Sequence, residues 1–123
     1  MSQEIKMPDP DHPITIGPSP DRVTVRALGA TLAESTSTLV LREASYAPVR
    51  YIPLVDVDRS RLCDSETTSY CPYKGNASYF SITELPQGED AVWFYDRPHP
   101  AVDAIRGHVA FYDDRVDIDI EAG

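Results

Sequence analysis

Residues 67–82 read TTSYCPYKGNASYFSI, two β-prone segments around a turn, and this stretch decides the fold class. Residues 67–70 and 78–82 carry Thr, Tyr, Phe and Ile, side chains favoured on a pleated surface. Between them, Pro72 removes a backbone donor, and the Gly75-Asn76 pair tolerates the positive φ of a tight turn. The expected structure is a hairpin-like connection between two strands.

The same signature continues downstream. Residues 91–95 are aromatic and β-branched, Pro98 and Pro100 break the run, and residues 101–105 suit one short helical turn. Two further strands, 108–112 and 116–120, are joined by Asp113-Asp114-Arg115, with Val116, Ile118 and Ile120 alternating strictly with Asp117, Asp119 and Glu121.

Upstream, residues 22–27 also have period two, and with 31–34 and 38–43 they read most simply as an early antiparallel meander. Pro53 interrupts 49–57, which is at best an edge or bulged strand, and 58–62 suits one helical turn. Five prolines among the first twenty residues make residues 1–20 a flexible Pro-rich arm with one short edge strand near 14–16. The expected fold is all-β, with compact antiparallel sheets, at most short helical turns, and a single domain over residues 21–121.

Composition narrows the partners. Twenty acids against eleven bases give the 123-residue chain a formal net charge of −9. That field repels phosphate backbones and anionic lipid, so neither nucleic acid nor a membrane is an expected partner. No apolar run approaches the roughly 20 residues that span a bilayer, and residues 1–20 lack the apolar centre of a secretion signal. A cytoplasmic location is expected.

No cofactor or metal is expected either. Cys63 and Cys71 lack C-x-x-C spacing and read as free thiols, although a bridge would close only a short loop. His12, His99 and His108 lie beside prolines or in a strand without paired-ligand spacing, so a structural or surface role is expected for each. Asp117 and Asp119 belong to a solvated strand face. Asp56 and Asp58, a second D-x-D pair, are harder to dismiss.

Lysine usage points to the central turn. Only Lys6 and Lys74 occur, and every other base is Arg. Lys74 suits a compact ammonium for an anionic ligand or a buried carboxylate, or else a solvated turn charge. Cys71, three residues earlier, is either a thiol activated by that ammonium or an inert packed one. Tyr51, Tyr79, Trp93 and Tyr95 suit a sheet face or a pocket wall equally.

Several of these residues together carry a resemblance. Cys71-Pro72-Tyr73-Lys74-Gly75 is followed by Ala77 and Tyr79, and by Trp93-x-Tyr95. Leu41-Arg42-Glu43, Tyr51-x-Pro53 and Asp56-Val57 precede it, and Gly107-x-Val109-Ala110-Phe111-Tyr112 follows. Over residues 22–120 the chain resembles the bacterial domain of unknown function 427 family. The resemblance implies an Mss4-like, or β-tent, arrangement of antiparallel sheets. Zinc held by two C-x-x-C pairs, a sulfoxide reductase cysteine and a cage of several tryptophans occur in that broader group, and this sequence carries none of them. The family is sometimes labelled nucleotidyltransferase-like, but no P-loop and no Gly-Ser element before a carboxylate pair is present. Its motif positions here are Glu43, Tyr51, Asp56, Cys71, Tyr73, Lys74, Tyr79, Trp93 and Tyr95.

The leading expectation is a small-molecule binding module. Tyr51, Tyr79, Trp93 and Tyr95 line its pocket, and Lys74 at the mouth takes an anionic or carbonyl group. Glu43 and Asp56 orient Lys74 or the ligand. The alternatives are an enzyme with Cys71 as nucleophile or Lys74 as base, partnered by Glu43 or Asp56, and a protein-interaction module with an exposed apolar patch. The partner is an unknown small molecule, and the chain a monomer or weak homodimer.

Overall fold

The computed structural model describes residues 4–123, which form ten strands. They are β1 (Ile14–Pro18), β2 (Arg22–Ala27), β3 (Ala30–Ser35), β4 (Leu39–Glu43) and β5 (Val49–Pro53). After these come β6 (Leu62–Cys71), β7 (Gly75–Ile82), β8 (Val92–Phe94), β9 (His108–Phe111) and β10 (Asp117–Glu121). Helical structure is confined to 3-10 turns at Leu54–Asp56, Arg59–Arg61 and Pro100–Ile105. The all-β reading holds, and the helical turns fall where Pro53, Asp58 and Pro100 start them.

Every pairing is antiparallel, and the strands form two sheets. The larger runs β1-β4-β5-β9-β8-β7-β6 and the smaller β10-β2-β3. β6 and β7 form the hairpin expected around residues 71–76. β2 and β3 turn through Leu28 and Gly29, both at positive φ, as tight hairpin turns require. Two placements depart from the sequence reading. β4 pairs with β1 and β5, so the early meander ends after β3, where residues 36–38 carry the chain to the other sheet. β5 is an interior strand, because Pro53 occupies its last position and needs to donate nothing there. β9 and β10 lie in different sheets, and Arg115 between them donates to the carbonyls of Gln87 and Glu89 at 2.8 and 3.1 Å.

Residues 1–3 of the expected arm lie outside the described residues. Ile14–Pro18 is the edge strand, in register with Glu43 through Leu39 on β4. Residues before it cross the β6–β7 turn: the Lys6 N–H donates to the Pro72 carbonyl at 2.9 Å, and the Tyr70 hydroxyl donates to the Glu4 carbonyl.

Strand alternation divides the core. Ile52, Val92, Val109 and Phe111 face the small sheet and pack on Val23, Val25, Leu32 and Ala33. Leu41, Tyr51 and Ala110 face the opposite side, with Tyr95, Val102 and Ile105 over them. The β5–β9 ladder is short: the two strands pair at Ile52↔Val109 and Pro53↔His108, and Val49, Arg50 and Tyr51 lie beyond it.

Candidate functional site

The site is built around Glu43. As the last residue of β4 it shares a face with Leu41, which turns its carboxylate toward the β6–β7 turn. Lys74, in that turn, donates its ammonium to Glu43 Oε1, and the two side chains are 12% and 11% exposed. His12 Nε2 meets Oε2 at 2.7 Å, and its ring stacks on Tyr73 at 3.9 Å between centroids. One carboxylate therefore ties together the arm, β4 and the central turn. Burial pushes Glu43 upward, but the hydrogen bonds from Lys74 and His12 outweigh it and hold the carboxyl below its ordinary 4.5.

Gly75 makes the turn possible. Its φ is +111°, and a Cβ would stand 3.3 Å from both the Arg97 carbonyl oxygen and the His99 ring. The Lys74 N–H closes the turn on the Cys71 carbonyl at 3.2 Å, while the Lys74 carbonyl receives the His99 N–H at 2.9 Å. The Lys74 backbone is thus fixed from both sides, which aims its side chain at Glu43.

Beside the ion pair lies a cavity of about 270 Å³ walled by Glu43, Lys74, Tyr46, Tyr51, Trp93 and Tyr95, with Leu41, Ala47 and Val49 completing it. Trp93 Nε1 donates to the Tyr51 hydroxyl at 3.3 Å, and the rings meet edge to face. Burial pushes the Tyr51 phenol up to about 12 and raises Tyr95 as well, so both remain protonated donors at neutral pH. The wall is rich in N–H and O–H groups, and its one carboxylate, bonded by Lys74 and His12, keeps an acceptor site on each oxygen.

The structure thus brings Glu43, Tyr51, Lys74, Trp93 and Tyr95 together. Tyr79 stands across from Trp93 in the β7–β8 register, bonded to Ser69 at 2.8 Å, and does not line the cavity. Asp56 is elsewhere. It accepts from Ser35 at 2.6 Å, beside the point where Ala33 bridges Val57 and ties the small sheet to the turn after β5. Glu43 and His12, rather than Glu43 and Asp56, meet at Lys74, so the expected orienting pair is corrected on this point. Lys74 is also more enclosed than a residue at a pocket mouth. Cys71 packs against the apolar cluster beneath the cavity, and Cys63 is exposed at the far end of β6. Cys63 and Cys71 pair with Ser81 and Gly75 at opposite ends of the β6–β7 hairpin, six residues apart on β7, which sets them about 20 Å apart and far beyond disulfide reach.

His12, expected in a structural or surface role, takes a structural one against Glu43. Its signal lay only in the pairing of β1 with β4, which sets Ile14 opposite Glu43. Tyr46, outside the family-motif positions, also joins the wall, edge-on to the His12 ring. Among the described residues, no group of three or more His, Cys, Asp or Glu is placed to hold a metal ion. No helix among them is long and apolar enough to cross a membrane.

Fold and site together define an all-β domain of two antiparallel sheets with an enclosed Lys–Glu pair beside an aromatic cavity. The chain belongs to the family described as domain of unknown function (DUF427), whose model matches residues 15–122. That match begins inside β1 and takes in every strand from β2 to β10. No curated protein matches the chain.

Proposed function

We propose that this protein is a cytoplasmic domain that binds a small carbonyl-bearing molecule in the cavity beside Lys74 and Glu43. The observation that carries the reading is the enclosed ion pair forming one wall of a cavity otherwise walled by Tyr46, Tyr51, Trp93 and Tyr95. A site of this kind, mostly apolar with a few convergent polar groups, is the usual form of a small-ligand pocket. Glu43 already neutralises Lys74, so a second anion would gain little from the ammonium and would be repelled by the carboxylate. A neutral carbonyl accepts from the remaining ammonium protons or a phenol without that repulsion, and an adjacent N–H satisfies Glu43. Carboxamides and lactams carry both groups side by side. The two antiparallel sheets support the β-tent arrangement expected from the family.

A thermal-shift panel of carboxamides, lactams and ketones, each beside its matching carboxylate, tests the reading. A ligand at 100 times its dissociation constant adds about 2.7 kcal/mol of stability. Neutral carbonyl compounds are expected to raise the melting temperature and to perturb the fluorescence of Trp93, the sole tryptophan. A panel in which only carboxylates act, or in which nothing acts, overturns it.

A further inference from the structure

We propose that the ligand is amphipathic: a carboxamide head at Lys74 and Glu43 continues into a saturated chain that passes Trp93 and lies between the two sheets. This rests on the carbonyl-binding reading above and extends it. A second cavity, of about 360 Å³, shares Ala47, Val49 and Trp93 with the first. The two adjoin beyond the end of the β5–β9 ladder, which is limited to Ile52↔Val109 and Pro53↔His108. Ala47, Val49 and Trp93 thus border both the donor-rich cavity and the larger groove, and the proposed chain runs along that shared wall.

The groove has the chemistry of an alkyl site. Its walls come from both sheets, with Val23, Ile118 and Ile120 on one side and Ile52 and Phe111 on the other. Val23 and Ile52 are fully buried and form the floor, whereas Ile120 is 50% and Tyr112 39% exposed, leaving apolar surface at the rim to water. Two charged residues border it: Arg50 is engaged by Asp21 and Ser19, each at 3.2 Å, and exposed Asp113 stands at the rim in water. Tyr112 already covers the Trp93 ring, at 4.4 Å between centroids, so a flat aromatic ligand has no free face of that indole to stack on from this side. A flexible saturated chain can bend past the ring edge and fill a space bounded by branched aliphatic side chains.

Butanamide, hexanamide and octanamide titrated against the full chain, read by Trp93 fluorescence, test this. Each buried methylene is expected to tighten binding about fourfold, or roughly 15-fold for each step of the series. Ile120→Glu, which puts a charge on the groove rim, is expected to flatten that dependence. Should this variant melt too low to titrate, Ile120→Thr retains a β-branched strand residue and gives a smaller flattening. Measurable binding that is independent of chain length overturns the inference and leaves the carbonyl-binding reading intact. A steep dependence unchanged in both variants also overturns it, because the chain would then lie elsewhere. If no amide binds, both readings fall.

Discussion

Lys74 and Glu43, on elements far apart in sequence, form an ion pair with little of either side chain in water, and His12 holds the second carboxylate oxygen. Removing one partner of such a pair strands the other charge, a loss larger than the net worth of the pair itself. Lys74→Met is therefore expected to cost about 3 kcal/mol at neutral pH, with His12 compensating only in part. Equilibrium urea melts check this. A cost within about 0.5 kcal/mol, as for a solvated turn lysine, would show that the pair is open to water.

Acid should weaken the fold through Glu43. Its folded pKa lies below the ordinary 4.5, so its contribution is fully present above that value and is lost as pH falls through the folded one. Asp21, Asp58 and Asp90 are lowered too and act in the same direction. Urea midpoints are expected to hold steady from neutral pH to about 5 and to fall below about 4.5. Glu43→Gln should start from a lower midpoint and show a shallower acid limb. Identical acid limbs in the two proteins would remove Glu43 from the account.

Alkali acts through the phenols. Tyr51 is raised by burial to about 12 and Tyr95 is raised in the same way, so their contribution is present below the ordinary value of 10 and lost as pH climbs through the folded ones. The phenolate absorbance of these two residues is expected to appear together with loss of the native Trp93 fluorescence. Tyr51→Phe leaves Trp93 Nε1 without its acceptor and should cost about 1 kcal/mol while shifting that emission.

The thiols provide a test of nucleophile chemistry. Cys63 is exposed, whereas Cys71 packs on the apolar cluster and the Lys74 ammonium is turned to Glu43. Iodoacetamide at neutral pH is expected to label exposed Cys63 faster than half-buried Cys71. Faster labelling of Cys71 in the folded protein would revive the enzyme reading.

The β6–β7 hairpin, the strands β2 and β10 with Val23, Val25 and Ile118 turned inward, and the solvated Asp117 and Asp119 were legible in the sequence. Each depends on local geometry: period-two patterning, the φ that Pro and Gly permit, and the solvation of carboxylates. The family motif drew attention to Glu43, Tyr51, Lys74, Trp93 and Tyr95, which the fold does bring together. Strand partnership was not legible, because an alternating segment buries one face equally well against any suitable neighbour. That freedom is why β4 left the expected meander, why β9 and β10 lie in different sheets, and why Asp56 went to Ser35 rather than Lys74. It is also why His12 could not be placed: only the β1–β4 register sets the arm beside Glu43. By itself the sequence determined that the chain is an acidic all-β domain with its polar motif on a turn. Tertiary packing alone decided which charges meet out of water and where the β5–β9 ladder ends, since both depend on contacts between residues that no local rule connects.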